Sequence, residues 1–261
     1  KKEAAKFVNE ELSVDDSLFL YHDVCTNGIG YVDLMFKTDS IAPEQIPYLG
    51  LLKSVLGYVD TKDYTYGELF NEINANTGGI NCGVEVFDRA DSTEEFQAMF
   101  SVRGKALYTK MDFLFKMIGE ILNSSKLEDT KRLYEIVASV KSRAQVNLTG
   151  AGHSTAVLRA AAYSSPMAAF QDEMAGIGYY QFIEKLEKDF EQRKEETVEE
   201  LCKLIKEILR PENFMISYTG ERESLETVQK LAAAVKAGLG TEPVEKSKEK
   251  LTCTKKNEGF K

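Results

Sequence analysis

Between Met111 and Leu209 the apolar patterns repeat at helical spacing, while the strand-like runs lie before that block and once after it. Met111, Leu114, Phe115, Ile118 and Leu122 mark one helix, and Leu133, Ile136, Val137, Val140 and Ala144 mark a second. Ala156–Tyr163 forms a third, with a face of small residues. A short helix follows Pro166, and another runs from Tyr179 to Gln192. Val198, Leu201, Ile205 and Leu209 line one more, which Pro211 stops. Ahead of the block, Ser17–His22 and Ile29–Thr38 read as strands around Thr26-Asn27-Gly28, a hairpin signal. Pro43–Leu56 is a helix with Ile46, Leu49, Leu52 and Leu56 on one face. Thr65 and Glu68 form a capping-box pattern opening the next, with Leu69, Phe70 and Ile73 inside and Gly78 ending it. Ile80–Phe87 and Phe96–Val102 are two more strands, joined by a polar turn at Asp88–Thr93. Phe214–Thr219 is a last strand and Leu225–Lys236 a last helix. This order is not the strict alternation of a parallel sheet. It predicts an α+β fold: an antiparallel sheet of about five to six strands packed against a block of helices.

The chain has 261 residues, 43% of them hydrophobic, enough for one sizeable core. Its net charge of −9 argues against nucleic acid as a partner, which requires a basic face for phosphates. No apolar run approaches the roughly 18 residues of a membrane span. The start, KKEAAKFVNEEL, is charged and reads as helical rather than as a signal segment. With no initiator Met, it reads as a cut inside a longer polypeptide. From Gly238 to Asn257 apolar periodicity gives way to lysine and glutamate, a linker composition.

Candidate chemistry is sparse. Cys25, Cys82, Cys202 and Cys253 are far apart and form no C-x-x-C pair, which disfavours zinc or a disulfide framework and fits a reducing compartment. The two histidines are His22 and His153. His22 stands beside Asp23 on a strand, where neighbours point to opposite faces and make a poor ligand pair. His153 falls at a helix start behind Gly150 and Gly152, where it caps or packs. The Thr149–Thr155 loop, TGAGHST, lacks the preceding strand and the following Lys-Ser/Thr of a P-loop. It reads as a helix corner with glycines at positive φ. The sequon at Asn147 lies in a helical pattern and reads as coincidence. Glu184/Lys188 and Asp189/Arg193 stand at i,i+4, the spacing of a solvated helix face. Arg103 reads as an ion-pair partner within the domain, with a peptide contact as the alternative. No serine or cysteine carries the partners of a nucleophile. No catalytic, cofactor-binding or metal-binding residue is assigned.

Three segments carry a resemblance. Ser142–Phe190 joins the Gly-x-Gly-His junction to a small-residue helix and an aromatic pair after Gly178. Thr61–Ile80 reads TKDYTYGELFNEINANTGGI, and Ser101–Leu107 reads SVRGKAL. In order and spacing these resemble the presequence-protease branch of the pitrilysin/insulinase zinc metallopeptidases, over roughly residues 14–237. In that family an H-x-x-E-H on the helix after the first strands binds zinc through its histidines, with the glutamate as base. The matching stretch here is Leu51-Leu52-Lys53-Ser54-Val55. Leu51 and Val55 stand at the histidine positions and Ser54 at the base.

The resemblance therefore implies the third, noncatalytic domain of such an enzyme, first in its C-terminal half. Residues 1–13 would be the tail of the linker between halves, 14–237 the domain, and 238–261 a linker and the start of the next domain. Implied partners are the N-terminal catalytic half, the fourth domain of the same chain and unfolded peptides, with neither nucleic acid nor membrane. Zinc is expected in the N-terminal half of the parent and no cofactor here. The fragment alone is expected to be inactive. The parent would work in the cytoplasm if bacterial, or in the mitochondrial matrix or plastid if eukaryotic. The alternative is a structural or partner-binding subunit of the same fold without protease activity.

Overall fold

Alternation along Phe214–Gly220 shows how the sheet is specified: Phe214, Ile216, Tyr218 and Gly220 are buried, and the residues between them are half-exposed. The computed structural model describes residues 8–244, 247, 249 and 251–253. The strands are β1 (Val8–Val14), β2 (Ser17–Asp23), β3 (Ile29–Lys37), β4 (Ile80–Arg89), β5 (Ser92–Leu107) and β6 (Phe214–Gly220). They form one sheet in the order β1-β2-β6-β3-β5-β4. The α+β class holds, with a mixed sheet in place of the expected antiparallel one. β6 runs parallel to β2, and the other four pairings are antiparallel.

Two local expectations are corrected. The segment read as helical, KKEAAKFVNEEL, is strand over Val8–Leu12, because Val8–Val14 pairs residue by residue with β2. Its first seven residues lie outside the described ones. The turn that makes this hairpin is Asp15-Asp16, both at positive φ (48° and 65°), the geometry of a tight two-residue connection. The second correction concerns β2 and β3, which are not a hairpin, since β6 lies between them. Asn27 (φ 54°) and Gly28 (φ 82°) do turn the chain. The loop donors, however, are taken by one side chain: Thr26 N and Asn27 N donate to Glu221 Oε1, each at 3.2 Å, and Gly28 N to Oε2 at 3.3 Å. The Tyr108 hydroxyl donates to the same carboxylate at 2.6 Å.

That carboxyl is held below its ordinary value of 4.5, chiefly by the Tyr108 hydroxyl, then by Cys25 and the loop amides. A folded value below the unfolded one means that Glu221 stabilises the loop above about pH 4.5 and ceases to as pH falls through the folded value. Amide exchange at residues 26–28 is expected to accelerate over that acid range. In Glu221→Gln it should be fast at every pH. Equal protection of those amides in the variant at neutral pH would contradict this account.

The helices are α1 (Ile46–Val55), α2 (Tyr66–Asn76), α3 (Met111–Ser124), α4 (Thr130–Gly150), α5 (Gly152–Ala161), α6 (Pro166–Ala175), α7 (Ile177–Lys188), α8 (Phe190–Ile208) and α9 (Leu225–Ala237). The Thr65/Glu68 box forms in both directions at the start of α2. Leu69 and Ile73 are buried as expected, whereas Phe70 is 59% exposed. The helix expected to run through Gln192 breaks at Asp189, where α7 ends and α8 begins, and Arg193 lies inside α8. Arg193 pairs with Glu196 instead, and Glu184 accepts from Tyr180. One core joins Phe19, Leu34, Phe100 and Ile216 of the sheet to Leu49, Leu52, Ile118, Leu204 and Val228 of the helices. Residue 238 onward has no helix or strand among the described positions. The chain nevertheless returns to the domain: Arg210 Nη1 donates to the Glu242 carbonyl at 2.6 Å, and Ser247 N to the Ser40 carbonyl at 3.0 Å. Residues 258–261, read as the start of a further domain, lie outside the described ones. No described helix is long and apolar enough to cross a membrane.

Candidate functional site

Helix α1 holds the positions at which the family motif would place zinc ligands, and packing has claimed them. Leu51 and Val55 are fully buried, and Ser54 is half-buried at the rim of a groove beside β4. α1 packs against α4, α6, α7 and α8. Its crossing is close because residue 50 is glycine. A Cβ there would lie 2.6 Å from the Met174 carbonyl oxygen and 2.7 Å from the Tyr179 ring. Two aliphatic side chains and a hydroxyl offer no zinc donor set, so no zinc chemistry is assigned to this helix. Among the described residues there is no group of three or more His, Cys, Asp or Glu that could hold a metal ion. Gly50→Ala is expected to cost about 1–3 kcal/mol through overpacking. That outweighs the roughly 1 kcal/mol of helix propensity it gains. Thermal unfolding decides, and a stabilised variant would overturn the close-crossing argument.

The two histidines serve the fold differently. His22 bridges three strands: Nδ1 meets Asn9 Oδ1 at 2.6 Å and Nε2 meets Ser217 Oγ at 3.1 Å. His153 is exposed, and α5 has no side-chain cap, which corrects the expectation that it caps or packs. Gly150 and Gly152 do not take positive φ. The corner is made at Ala151 (φ −124°, ψ 41°), and a Cβ on either glycine would meet nothing within 4 Å. Asn147 lies in α4, as its pattern suggested. All four cysteines are free.

Arg103 is an ion-pair partner, as expected. Nε donates to Asp33 Oδ2 at 2.8 Å, and Nη2 lies 3.1 Å from Glu85 Oε1, tying β3, β5 and β4 together on the polar sheet face. Burial raises the Asp33 carboxyl above its ordinary value, and Arg103 offsets part of that rise. Asp33 Oδ1 and the Ser101 hydroxyl are buried without a hydrogen-bond partner among the described residues. A hollow of about 330 Å³ beside Asp33 and Arg103 is lined by Tyr31, Asn81, Lys105 and Thr219 among others.

The most deeply buried charged side chain among the described residues was not singled out by the sequence reading. Asp172, near the end of α6, is 1% exposed. Its Oδ2 accepts from Arg159 at 2.5 Å and from Gly178 N at 3.1 Å, while Oδ1 accepts from Ile177 N at 3.0 Å. The carboxylate thus sits on the N-terminus of α7, where unpaired amides and the helix dipole favour an anion. Glycines make room for it. A Cβ on Gly176 would stand only 2.4 Å from Oδ1, and one on Gly178 would stand 2.9 Å from Oδ2. The Gly-Ile-Gly-Tyr-Tyr signature is thereby explained as the seat of a buried carboxylate, a structural role.

Residues 1–186 match the family described as Peptidase M16-C associated. Protein HypA of Clostridium perfringens is 32% identical over 260 residues, 99% of this chain and 26% of its own length. The mitochondrial presequence protease of Yarrowia lipolytica is 30% identical over 185 residues, 71% of this chain and 18% of its own. The chain thus spans about a quarter or less of the length of these relatives. Among solved structures, a protease from Helicobacter pylori superposes with a TM-score of 0.64 at 13% identity, covering 94% of this chain and 54% of that one. The peptidase M16 inactive domain from Pseudomonas fluorescens superposes at 0.57 and 14% identity, covering 93% and 53%. The solved structures share the fold, and the family match spans most of the chain: the chain belongs to the Peptidase M16-C associated family.

Proposed function

We propose that this chain is a chamber-wall domain of a longer zinc metalloendopeptidase that degrades unfolded peptides of the presequence type. The observation that carries this reading is the burial of Leu51 and Val55 at the motif positions, in a chain whose relatives include presequence proteases. Zinc and the general base would reside in another domain of the same polypeptide, in its N-terminal half. The proposed unit is the α+β domain over residues 14–237, with β1 added at its edge, preceded by linker and followed from residue 238 by a connection to a fourth domain. Its role is to shape the enclosure and to meet the catalytic half. Val146 (66% exposed) and Val157 (68%), on the arm formed by α4 and α5, suit such a contact. The compartment would be cytoplasm in a bacterium and mitochondrial matrix or plastid in a eukaryote, in line with the names of the presequence-protease relatives.

The test is cleavage of a quenched fluorescent peptide of roughly 20–30 residues, long enough to fill such an enclosure. It compares the 261-residue chain, the full polypeptide and the polypeptide with a chelator. Cleavage confined to the chelator-sensitive full polypeptide is expected. An inactive full polypeptide would instead support a structural subunit of the same fold.

A further inference from the structure

On the polar face of the sheet the pairing register sets two rows of side chains across the strands. Thr219, Tyr31 and Lys105 stand side by side on β6, β3 and β5. Ser217, Asp33, Arg103 and Asn81 form the next row on that face and carry it onto β4. Beyond Lys105 the first row meets glycine: Gly78 N donates to the Lys105 carbonyl at 2.7 Å, and Gly79 follows at φ 104°. Only glycine holds that φ without strain, so no side chain fills this end of the row. The result is the hollow of about 330 Å³, at the lower end of small-molecule sites. The charges in its lining do not balance. Arg103 is already paired with Asp33 and Glu85. Lys105, the other cation, has no hydrogen bond or ion pair among the described residues. Its stem is laid across Gly78, where a Cβ would stand 2.6 Å from Cγ and 2.7 Å from Cε. Asn81 also has no hydrogen bond there, and its Nδ2 lies 3.9 Å from where a Cβ of Gly79 would be. Tyr31, 42% exposed, adds a flat apolar ring.

We propose that this hollow binds a small organic monocarboxylate, its oxygens on the Lys105 ammonium and the Asn81 amide and its body against the Tyr31 ring. Two free donors side by side match the two oxygens of a carboxylate, and a charged acceptor strengthens both bonds. One uncompensated cation suits one negative charge. The net charge of −9 on the whole chain repels an anion with more. The volume admits a ring or a short aliphatic body beside the carboxylate and excludes a nucleotide. Gly78 is part of the site without touching the ligand, because its missing Cβ lets the lysine stem lie flat and sets where the ammonium ends. The site needs neither the zinc enzyme proposed above nor a peptide, and it would hold in a protein that cleaves nothing.

The probe is benzoate, titrated into the 261-residue chain while the backbone amide resonances of residues 78–81 and 103–105 are followed by NMR. Benzamide, neutral and of the same shape, and phthalate, a dianion, are titrated in parallel. Benzoate is expected to shift those amides saturably, with a dissociation constant on the order of 1 mM for a ligand of this size. Benzamide should bind at least about tenfold more weakly, since it forfeits the charge-assisted bonds. Phthalate should bind more weakly than benzoate. Lys105→Met keeps the stem and removes the charge, and it should abolish the preference for benzoate over benzamide. Gly78→Ala, which displaces the stem, should weaken benzoate while leaving the circular dichroism spectrum unchanged. Equal binding of benzoate and benzamide, tighter binding of phthalate, undiminished benzoate binding by Lys105→Met, or no saturable shift at these amides would each overturn the proposal. None of these outcomes depends on whether the full polypeptide cleaves peptides, so the two readings fail separately.

Discussion

Asp172→Ala is expected to destabilise the chain by about 3–5 kcal/mol, the cost of breaking a buried ion pair from one side. Three donors converge on this carboxylate: Arg159 at 2.5 Å and the Ile177 and Gly178 amides at 3.0 and 3.1 Å. Alanine removes the buried carboxylate that Arg159 donates to, and it leaves two amides at the head of α7 without that acceptor. α7 is the helix whose Tyr179 ring lies against Gly50 of α1, so loosening it also loosens the position at which a zinc motif would stand. Arg159→Met should cost less, because Asp172 keeps both backbone donors. Equilibrium urea unfolding checks the pair. A loss below about 1 kcal/mol for Asp172→Ala, the range of exposed ion pairs, would contradict the account.

The second large effect concerns the motif itself. Writing H-x-x-E-H back into α1 with Leu51→His, Ser54→Glu and Val55→His is expected to unfold the chain rather than create a zinc site. Leu51 and Val55 are fully buried, so each substitution removes core packing and buries an imidazole where apolar contacts were. Losses of this kind run to about 2–5 kcal/mol for each large aliphatic residue replaced. Two of them approach the whole stability of a domain, about 5–15 kcal/mol. Circular dichroism and a zinc titration of the triple variant measure this. A folded variant holding one zinc would show that the helix still has the space and exposure of a metal site.

What the sequence made legible was local and periodic. Thr65 and Glu68 fixed a helix start that the structure repeats bond for bond, and Pro211 ended a helix through a missing N–H. Phe214–Thr219 was legible as a strand, and the structure has it over Phe214–Gly220. What stayed hidden was decided by partners far along the chain. β6 inserts between β2 and β3 from about two hundred residues away, and no turn signal at Thr26-Asn27-Gly28 could announce it. Val8–Leu12 has a charged, helix-like composition but becomes a strand because β2 offers it an edge, the usual way tertiary context overrides propensity. The same limit held at the site. The sequence could say that Leu51, Ser54 and Val55 are the wrong residues for zinc. It could not say that Arg159 and Asp172 would be buried together, although the glycines at 176 and 178 were the trace of that carboxylate's approach.

The measurement that tests the central claim most directly is metal content. The 261-residue chain, expressed with zinc in the medium and freed of loosely bound ions by gel filtration, is assayed by mass spectrometry of its metals beside the full polypeptide. The account predicts no stoichiometric zinc in this chain and one zinc in the full polypeptide. One zinc per chain here, lost on substitution of residues in α1, would contradict it.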